Sequence, residues 1–437
     1  MSDTSTTGRA ALVAANGRAR RPAEPPQGEL SHADALRGGE RRDFWFGEVP
    51  DGWEVRKIKF TFSERKQKGY PELPLLAATQ NHGVILKNKY ENRTVEAIKG
   101  LESLKLVEIG DFVISLRSFQ GGLELAYDRG IISPAYTILM PTHITREYFK
   151  YYAKSPTFIA LLRSTVTGIR EGQNIDYNKL REYSIPIPPK ETQLTIAAYL
   201  DAETGRIDKA IAAEERMIAL LQERREIVIN EAVAPHDGWE VRRLGTIGEF
   251  SKGGGISRDD LQESGLPAIL YGDIYTKYNH AVVEVKNHIS DRTAKGSVSV
   301  EYGDILMTGS GETKEDIGKA VVFLGDSSFI GGDVICFRQK DNNSCYLSYA
   351  LSSEAAKAFR YRESKGEIVV HIYASSLKQL PIPLPHLPEQ EAIVERLDRE
   401  TGKIDRAIEV KRRQIELLRE RRQIVIDEAV TGKVKVA

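Results

Sequence analysis

Apolar residues recur at spacings of three and four along two long stretches of the chain. Leu200, Ile207, Ile211, Ile218, Leu221 and Val228 mark the first, and Leu397, Ile404, Ile408, Ile415, Leu418 and Val425 the second. This period predicts two helices, each with a coiled-coil seam interrupted by a few polar positions. Pro188 and Pro189 precede one, and Pro385 and Pro388 the other, holding the incoming chain extended. A helix of roughly 40 residues spans about 60 Å. Neither should be stable alone in water, so the two are expected to pair with each other rather than only pack on their own globular neighbours. Gly205 and Gly402 lie inside the pattern. Each weakens its helix by up to about 1 kcal/mol relative to Ala, and their recurrence predicts a close approach of helices.

The two stretches are copies of one another. Residues 185–233 and 382–430 align without a gap at an offset of 197, with a little over half the positions identical. Shorter echoes precede each copy: Asp51-Gly-Trp-Glu-Val-Arg56 against Asp237-Gly-Trp-Glu-Val-Arg242, and Gly110-Asp-Phe-Val-Ile114 against Gly303-Asp-Ile-Leu-Met307. An internal repeat of this kind sets the architecture before any motif does. The order is globular unit, helix, globular unit, helix. In the first unit, strands are predicted over 110–116 and 131–141 and a helix over 148–164. In the second, strands are predicted over 303–307, 319–324 and 333–338 and a helix over 346–363.

If the helices follow two units related by a pseudo-two-fold, they run antiparallel, and repeat-equivalent positions near the axis meet. Glu214 lies on the seam between Ile211 and Ile218, and Lys411 between Ile408 and Ile415. These two are repeat-equivalent and opposite in charge, so they are expected to face each other and help fix the register. Ile211 would then pair with Ile415, and Ile218 with Ile408.

Composition narrows the function. The chain has 437 residues, 41% hydrophobic and 28% charged, as in a globular multi-domain protein. Lys plus Arg and Asp plus Glu both number 62, so the formal charge is zero, and no segment is basic enough to hold nucleic acid by charge alone. Residues 46–185 carry +4 and 235–381 carry −3. DNA binding would need placed contacts, basic partners, or both. Cys336 and Cys345 are the only cysteines, which excludes a disulfide scaffold and points to a reducing cytoplasm. No apolar run has the length of a membrane helix. Residues 1–45 are rich in Ala, Gly, Arg, Pro, Ser and Thr and are expected to be a disordered tail. Their six acidic side chains argue against a targeting peptide.

Catalytic motifs are absent on inspection. Gly311 to Lys319 superficially suggests a phosphate loop, but six residues separate its glycines and Ala320 stands where Ser or Thr is required. Asp304 with Glu312 and Lys314 could suggest a metal-dependent nuclease. Yet the Gly-Asp pair recurs as Asp111 with no Glu-x-Lys after it, which favours a structural turn. The eight histidines are scattered, and no Asn-Pro-Pro-Tyr-like tetrapeptide for methyl transfer is present. A purely structural coiled-coil protein and a single-chain nuclease are the competing classes.

The duplicated order of motifs resembles the specificity subunit of type I restriction–modification systems. The matching residues are Asp51–Arg56 and Asp237–Arg242, Gly110 to Gly122 with Ile131 to Tyr136, Gly303 to Gly311 with Gly318 to Val321, and the exits Ile185-Pro-Ile-Pro188 and Leu380-Pro-Ile-Pro383. A Pro-x-x-Glu-Gln helix start is complete at Pro388-Glu-Gln390 and degraded at Glu191-Thr-Gln193. The resemblance covers about residues 46–432, and the N-terminal tail departs from it.

That resemblance implies an α+β fold with two mixed target recognition domains, at 46–185 and 235–381, joined by two long antiparallel coiled-coil helices at 186–234 and 382–437. It implies a non-catalytic, cytoplasmic protein whose two domains each read one half of a bipartite asymmetric DNA site. The helices would set the spacing and dock two methyltransferase subunits, to which restriction–translocase subunits attach. S-adenosylmethionine, ATP and magnesium would belong to those partners, with no cofactor on this chain. Arg and amide side chains read base edges, while Lys and backbone groups hold phosphates. The candidates in the first unit are Arg65, Lys66, Lys68, Asn81, Lys87, Lys89, Arg117, Gln120, Arg170, Gln173 and Asn174. In the second they are Lys252, Ser257, Arg258, Lys277, Arg292, Lys314 and Lys365. The Gly-flanked loops 168–174 and 252–258 stand out, because Gly lets backbone approach a phosphate.

Overall fold

The computed structural model describes residues 46–89, 100–116, 118–167 and 174–436. The tail at 1–45 and the candidates Arg117, Arg170 and Gln173 lie outside the described residues. Two compact units emerge. One comprises Met1–Arg206 with Glu420–Ala437, as far as these are described, and the other Ile207–Arg419. The division cuts across both long helices, Lys190–Val233 and Leu387–Val430.

The recurring motifs close each unit upon itself. In the first, Glu54–Lys57 pairs antiparallel with Ser184–Ile187, Glu54 opposite Ile187. In the second, Glu240–Arg243 pairs with Pro381–Leu384, Glu240 opposite Leu384. The Trp-Glu-Val-Arg and Ile-Pro motifs therefore recur together because they are strand partners at the unit's neck. Proline is tolerated there because each ribbon has only two strands and no further neighbour needing its N–H.

Within each unit the strand pair encloses a sheet of its own, of similar strand order in the two. The first has four antiparallel strands in the order Phe62–Arg65, Thr137–Pro141, Phe112–Ile114, Glu124–Leu125. The second has Gly248–Lys252, Val334–Gln339, Ile305–Thr308 and Ala320–Phe323 in the corresponding order, and adds Ala281–Val282 in parallel at the edge. Among the described residues, only the second unit builds a further five-stranded sheet. Its strands are Leu261–Gln262, Asn287–Ile289, Leu266–Ile269, Ser327–Ile330 and Val298–Glu301. The Gly-Asp echo is the turn into a central strand. Gly110 (φ 94°) and Gly303 (φ 91°) take the left-handed backbone that L side chains avoid. Asp111 and Asp304 then accept the N–H groups of Glu108 and Glu301, both at 2.9 Å.

Three expected elements are split. The strand expected over 131–141 is Gly130–Ile132 and Thr137–Pro141, because Pro134 has no N–H for the ladder and a turn closes from Tyr136 N to Ser133 O at 3.2 Å. The helix expected over 148–164 is Arg146–Tyr152 and Pro156–Ser164, where Ser155 caps the N–H of Phe158 and Pro156 begins the new helix. The helix expected over 346–363 is Ser344–Leu351 and Glu354–Glu363, broken where Ser353 caps the N–H of Ala356.

The long helices serve each unit in the same way. In the first unit, Ile196, Leu200, Ile426, Ala429 and Val430 join a core with Phe112, Tyr148, Phe149, Tyr152 and Phe158. In the second, Val228, Ile229, Ala232, Val233, Ile393 and Leu397 join Ile305, Phe337, Tyr346, Leu347 and Leu351. The helices thus both pair and pack on globular cores. Within the second unit their antiparallel register is explicit. Lys411 Nζ meets Glu214 Oε2 at 3.0 Å, and further along Arg225 Nε donates to Asp405 Oδ1 at 3.1 Å. Ile408 and Ile415 are buried on either side of Lys411, and Ile211 and Ile218 are half-buried on either side of Glu214. The expectation for the glycines is overturned. A Cβ at Gly205 would meet nothing within 4 Å, and one at Gly402 only Arg406 Nη1 at 3.5 Å. The helix pair does not need glycine at either place.

Candidate nucleic-acid interface

Duplicated polar latches seat each reader on its helices. Tyr151 Oη donates to Asp201 Oδ1 at 2.5 Å with Thr204 Oγ1 at 3.3 Å. Tyr349 Oη donates to Asp398 Oδ1 at 2.7 Å with Thr401 Oγ1 at 3.3 Å. The glutamine of each helix start clamps a loop of the globular unit. Gln193 accepts from the N–H of Thr145 at 2.7 Å and donates to Pro188 O at 2.9 Å. Gln390 accepts from the N–H of Asn343 at 2.9 Å and donates to Pro385 O at 2.9 Å. These side chains are buried and satisfied, so the helix-start motif positions the readers and makes no outside contact.

The second unit gathers most of its candidate loops. Arg258 lies beside Gly272 at the start of helix Tyr271–Thr276. Tyr275 of that helix accepts from Thr308 Oγ1 at 2.7 Å and donates to Ser310 O at 3.2 Å. Ser310–Gly311 pairs in turn with Val370–His371. One connected surface therefore carries Arg258, Lys277, Lys314 and Lys365. Arg258 and Lys365 are exposed, and Lys314 is half-buried. Lys277 is tied to Asp273 at 2.7 Å and to Asn287 at 3.0 Å. Lys252 is exposed 3.8 Å from Asp333, and Arg292 is exposed on helix Asp291–Ala294. Ser257 is exposed, and its hydroxyl and N–H both donate to Asp260 Oδ2, at 2.7 and 2.8 Å, which closes the turn Arg258–Asp260.

The first unit brings a smaller set together. The hairpin Leu76–Thr79 and Gly83–Leu86 presents Asn81 at its exposed tip. Gly121, at the end of helix Ser118–Gly121 that carries exposed Gln120, packs on Gln80 of that tip. Lys89 pairs with Asp128 at 3.3 Å, Lys87 is half-buried in the same short turn, and Asn174 is exposed on Asn174–Ile175. Lys66 reaches Glu64 at 3.2 Å and Lys68 is exposed.

Arg65 requires a correction. It was expected to face nucleic acid, but its guanidinium forks onto buried Asp111, Nε to Oδ2 at 2.7 Å and Nη2 to Oδ1 at 3.2 Å. That bond to a carboxylate raises its pKa further. Arg338 does the same for Asp304 at 2.8 and 2.6 Å, reaching it from a different strand. Each Gly-Asp turn thus holds a buried carboxylate that an arginine must neutralise. Asp304 is accordingly a turn residue, and among the described residues no three His, Cys, Asp or Glu side chains converge as metal ligands. Burial pushes the Cys336 thiol up to about 12 and that of Cys345 up to about 11, so neither is a thiolate nucleophile at neutral pH.

Sequence reasoning missed the exposed aromatic and apolar groups of the second unit: Tyr271, Tyr361, Ile368, Val369 and Tyr373. These side chains carry neither a charge nor an amide, the groups by which base and phosphate contacts are recognised in a sequence. An aromatic or β-branched residue in a Gly-containing loop was the available signal.

Comparison with known proteins agrees with this architecture. Residues 236–418 match the family model described as the type I restriction modification DNA specificity domain. The putative type I restriction enzyme MjaX specificity subunit of Methanocaldococcus jannaschii is 25% identical over 445 residues, covering 89% of this chain and 95% of that protein. The MjaVIII specificity subunit of the same organism is 23% identical, covering 89% and 94%. A chain from a solved structure concerned with complex assembly and conformational transition of the type I R-M system superimposes with a TM-score of 0.66 at 18% identity, over 89% of this chain and all of that one. No helix among the described residues is long and apolar enough to cross a membrane. Residues 236–418 thus match a type I restriction modification DNA specificity domain, and along 89% of its length the chain is similar to specificity subunits of type I restriction enzymes and shares its fold with a chain of a type I R-M system.

Proposed function

We propose that this chain recognises a bipartite, asymmetric DNA site without itself performing catalysis, each globular unit acting as a target recognition domain for one half. The observation that carries the reading is a shared frame with unlike loops. Both units are closed by the same strand pair and seated by the same Tyr-Asp-Thr and Gln latches, yet they differ in the surfaces built between. Like mounts with unlike readers suit two different half-sites. In the first unit Asn81, Gln120, Asn174, Lys66 and Lys68 are the exposed groups suited to base edges and phosphates, and in the second Arg258, Lys365, Lys252 and Arg292, with half-buried Lys314 beside them.

The helices would space the readers and dock two methyltransferase subunits, to which restriction–translocase subunits attach. Exposed Met217, Leu220, Ile227, Val410 and Leu417 supply apolar surface for that docking within the second unit. S-adenosylmethionine, ATP and magnesium belong to the partners in this reading, which places the assembly with DNA in the cytoplasm. The test is methylome sequencing of the host with and without this gene, repeated with residues 235–381 exchanged for the second reader of another family member. Loss of one bipartite motif, and a change in one half only after exchange, is expected. Persistence of the motif, or a change in both halves, would overturn it. Methyl transfer by the purified chain alone would contradict the non-catalytic assignment.

A further inference from the structure

A rigid hairpin in the second unit ends in apolar side chains. Lys365 and His371 exchange both backbone hydrogen bonds, at 2.9 and 2.8 Å. Val370–His371 also pairs with Ser310–Gly311, and His371 Nδ1 lies 2.9 Å from Ser310 Oγ. Gly366 makes the turn at φ 106°, where a Cβ would come within 2.1 Å of Val369 O. The segment is therefore held by backbone from both sides, yet at its tip Ile368 is 90% exposed and Val369 52% exposed. A single exposed apolar residue is ordinary. Two adjacent β-branched ones on a braced tip, beside exposed Lys365 and Glu367 and between exposed Tyr361 and Tyr373, form a defined apolar point in a polar surround.

Two observations say what it meets. The hairpin is continuous with the surface assigned to DNA, through strand Ser310–Gly311 and the loop carrying Lys314. The corresponding stretch of the first unit, residues 168–173, reads Gly-Ile-Arg-Glu-Gly-Gln. In sequence, that stretch carries Arg170, Glu171 and Gln173 with one apolar residue, Ile169, where the second unit carries the adjacent Ile368-Val369. Readers of different half-sites should differ in this way. The apolar mark in the major groove is the thymine C5-methyl, which separates T from C and from uracil. Ile and Val are stiff at χ1, so they lose little freedom in covering it.

We propose that Ile368 and Val369 read a thymine methyl in the major groove of the second half-site. This rests on the recognition reading above. The test uses the full chain assembled with its methyltransferase partner, on duplexes carrying the motif found by methylome sequencing. Each thymine of the second half-site, on either strand, is replaced singly by deoxyuracil, which deletes only the methyl. At one position the replacement should weaken binding roughly fourfold, the effect of one buried methyl-sized group. The doubly substituted chain, Ile368→Ser with Val369→Ser, should bind thymine and uracil duplexes equally. It should keep its discrimination at the first half-site, and both side chains are exposed enough that its thermal melt should not move.

A second half-site without thymine, or a wild-type assembly indifferent to every deoxyuracil, would overturn the inference while leaving site recognition intact. Loss of methyltransferase association in the variant, with base preference unchanged, would make the tip a protein contact and overturn it too. Failure of the wild-type assembly to prefer the motif at all would sink the recognition reading and this inference together.

Discussion

Reversing the charge of Lys411 is the sharpest test of the helix register. Lys411 Nζ lies 3.0 Å from Glu214 Oε2, with the two side chains 29% and 24% exposed. At that separation the Coulomb attraction is about 5 kcal/mol for an effective dielectric of roughly 20. Desolvation and the ordering of two long side chains cancel most of it, leaving a net contribution of about 1 kcal/mol. Lys411→Glu removes that and sets two carboxylates against each other between the buried Ile408 and Ile415. It also deletes the bond from Lys411 Nζ to Gln414 Oε1 at 3.1 Å. The expected loss is about 2 kcal/mol. The double reversal, Glu214→Lys with Lys411→Glu, should return most of it, giving a coupling energy of about 1–2 kcal/mol.

Equilibrium urea unfolding followed by helical circular dichroism measures all four corners of this cycle. Two results would refute the reasoning: a single reversal costing less than about 0.3 kcal/mol, or a double reversal no better than the sum of the singles. Either would mean that both side chains simply extend into solvent, and that the apolar seam sets the register unaided. Replacing the pair by Met and Leu is a separate matter. Removing both charges leaves neither unpaired, so stability should hold or rise by about 1 kcal/mol. The ion pair is thus expected to select the register more than to add strength.

Arg65→Ala should destabilise the first unit by about 3 kcal/mol by stranding Asp111, as a lowered urea midpoint would report, whereas Arg65→Ala with Asp111→Ala should recover much of the loss. Gln390→Ala strands the N–H of Asn343 and should cost about 1–3 kcal/mol without altering which bases are read, measurable by melting and by methylome motif. His280 is half-buried, stacked on Tyr349 at 3.7 Å, and its pKa is pulled down to about 3 by desolvation and by Arg225. Its folded pKa is depressed, so below the usual histidine value near 6.5 the unfolded chain binds the proton more readily, and stability should fall by about 2 kcal/mol between pH 6.5 and 5. His280→Phe should flatten that slope, and an unchanged slope would rule the residue out as its source.

How much of this was legible depended on what repeats. The helices, their antiparallel sense and the Glu214–Lys411 encounter follow from two facts visible in the chain: a three–four apolar period and a gap-free duplication. The duplication even identifies which echoes are partners, since Trp53 to Lys57 and Trp239 to Arg243 recur with the Ile-Pro exits that their strands pair with. Local rules failed where a single residue overrode a longer pattern. Ser155-Pro156 and Ser352-Ser353 break what the apolar period reads as continuous helices, because a capping hydroxyl offers the next N–H groups a better partner. The glycine reading failed for a different reason. Gly205 and Gly402 sit in a repeated pattern, but the partner helix never comes near enough to need them, and only coordinates report that distance.

The recognition surface was harder to read because charge is a poor guide to it. Arg65 is as cationic as Arg258, yet one neutralises a buried carboxylate and the other stands in solvent beside Gly272. The sequence holds the distinction only indirectly, in the Gly-Asp turn whose carboxylate must be neutralised by some neighbour. The two units recruit that neighbour from different strands, Arg65 from Phe62–Arg65 and Arg338 from Val334–Gln339. An obligation of the frame is thus met by whichever residue lies nearby, and what remains on the surface is free to vary. The same logic favours looking for specificity where the frame makes no demand. The tip at Ile368 and Val369 meets that condition, since its brace is backbone and Gly366, and neither side chain belongs to a core of the fold.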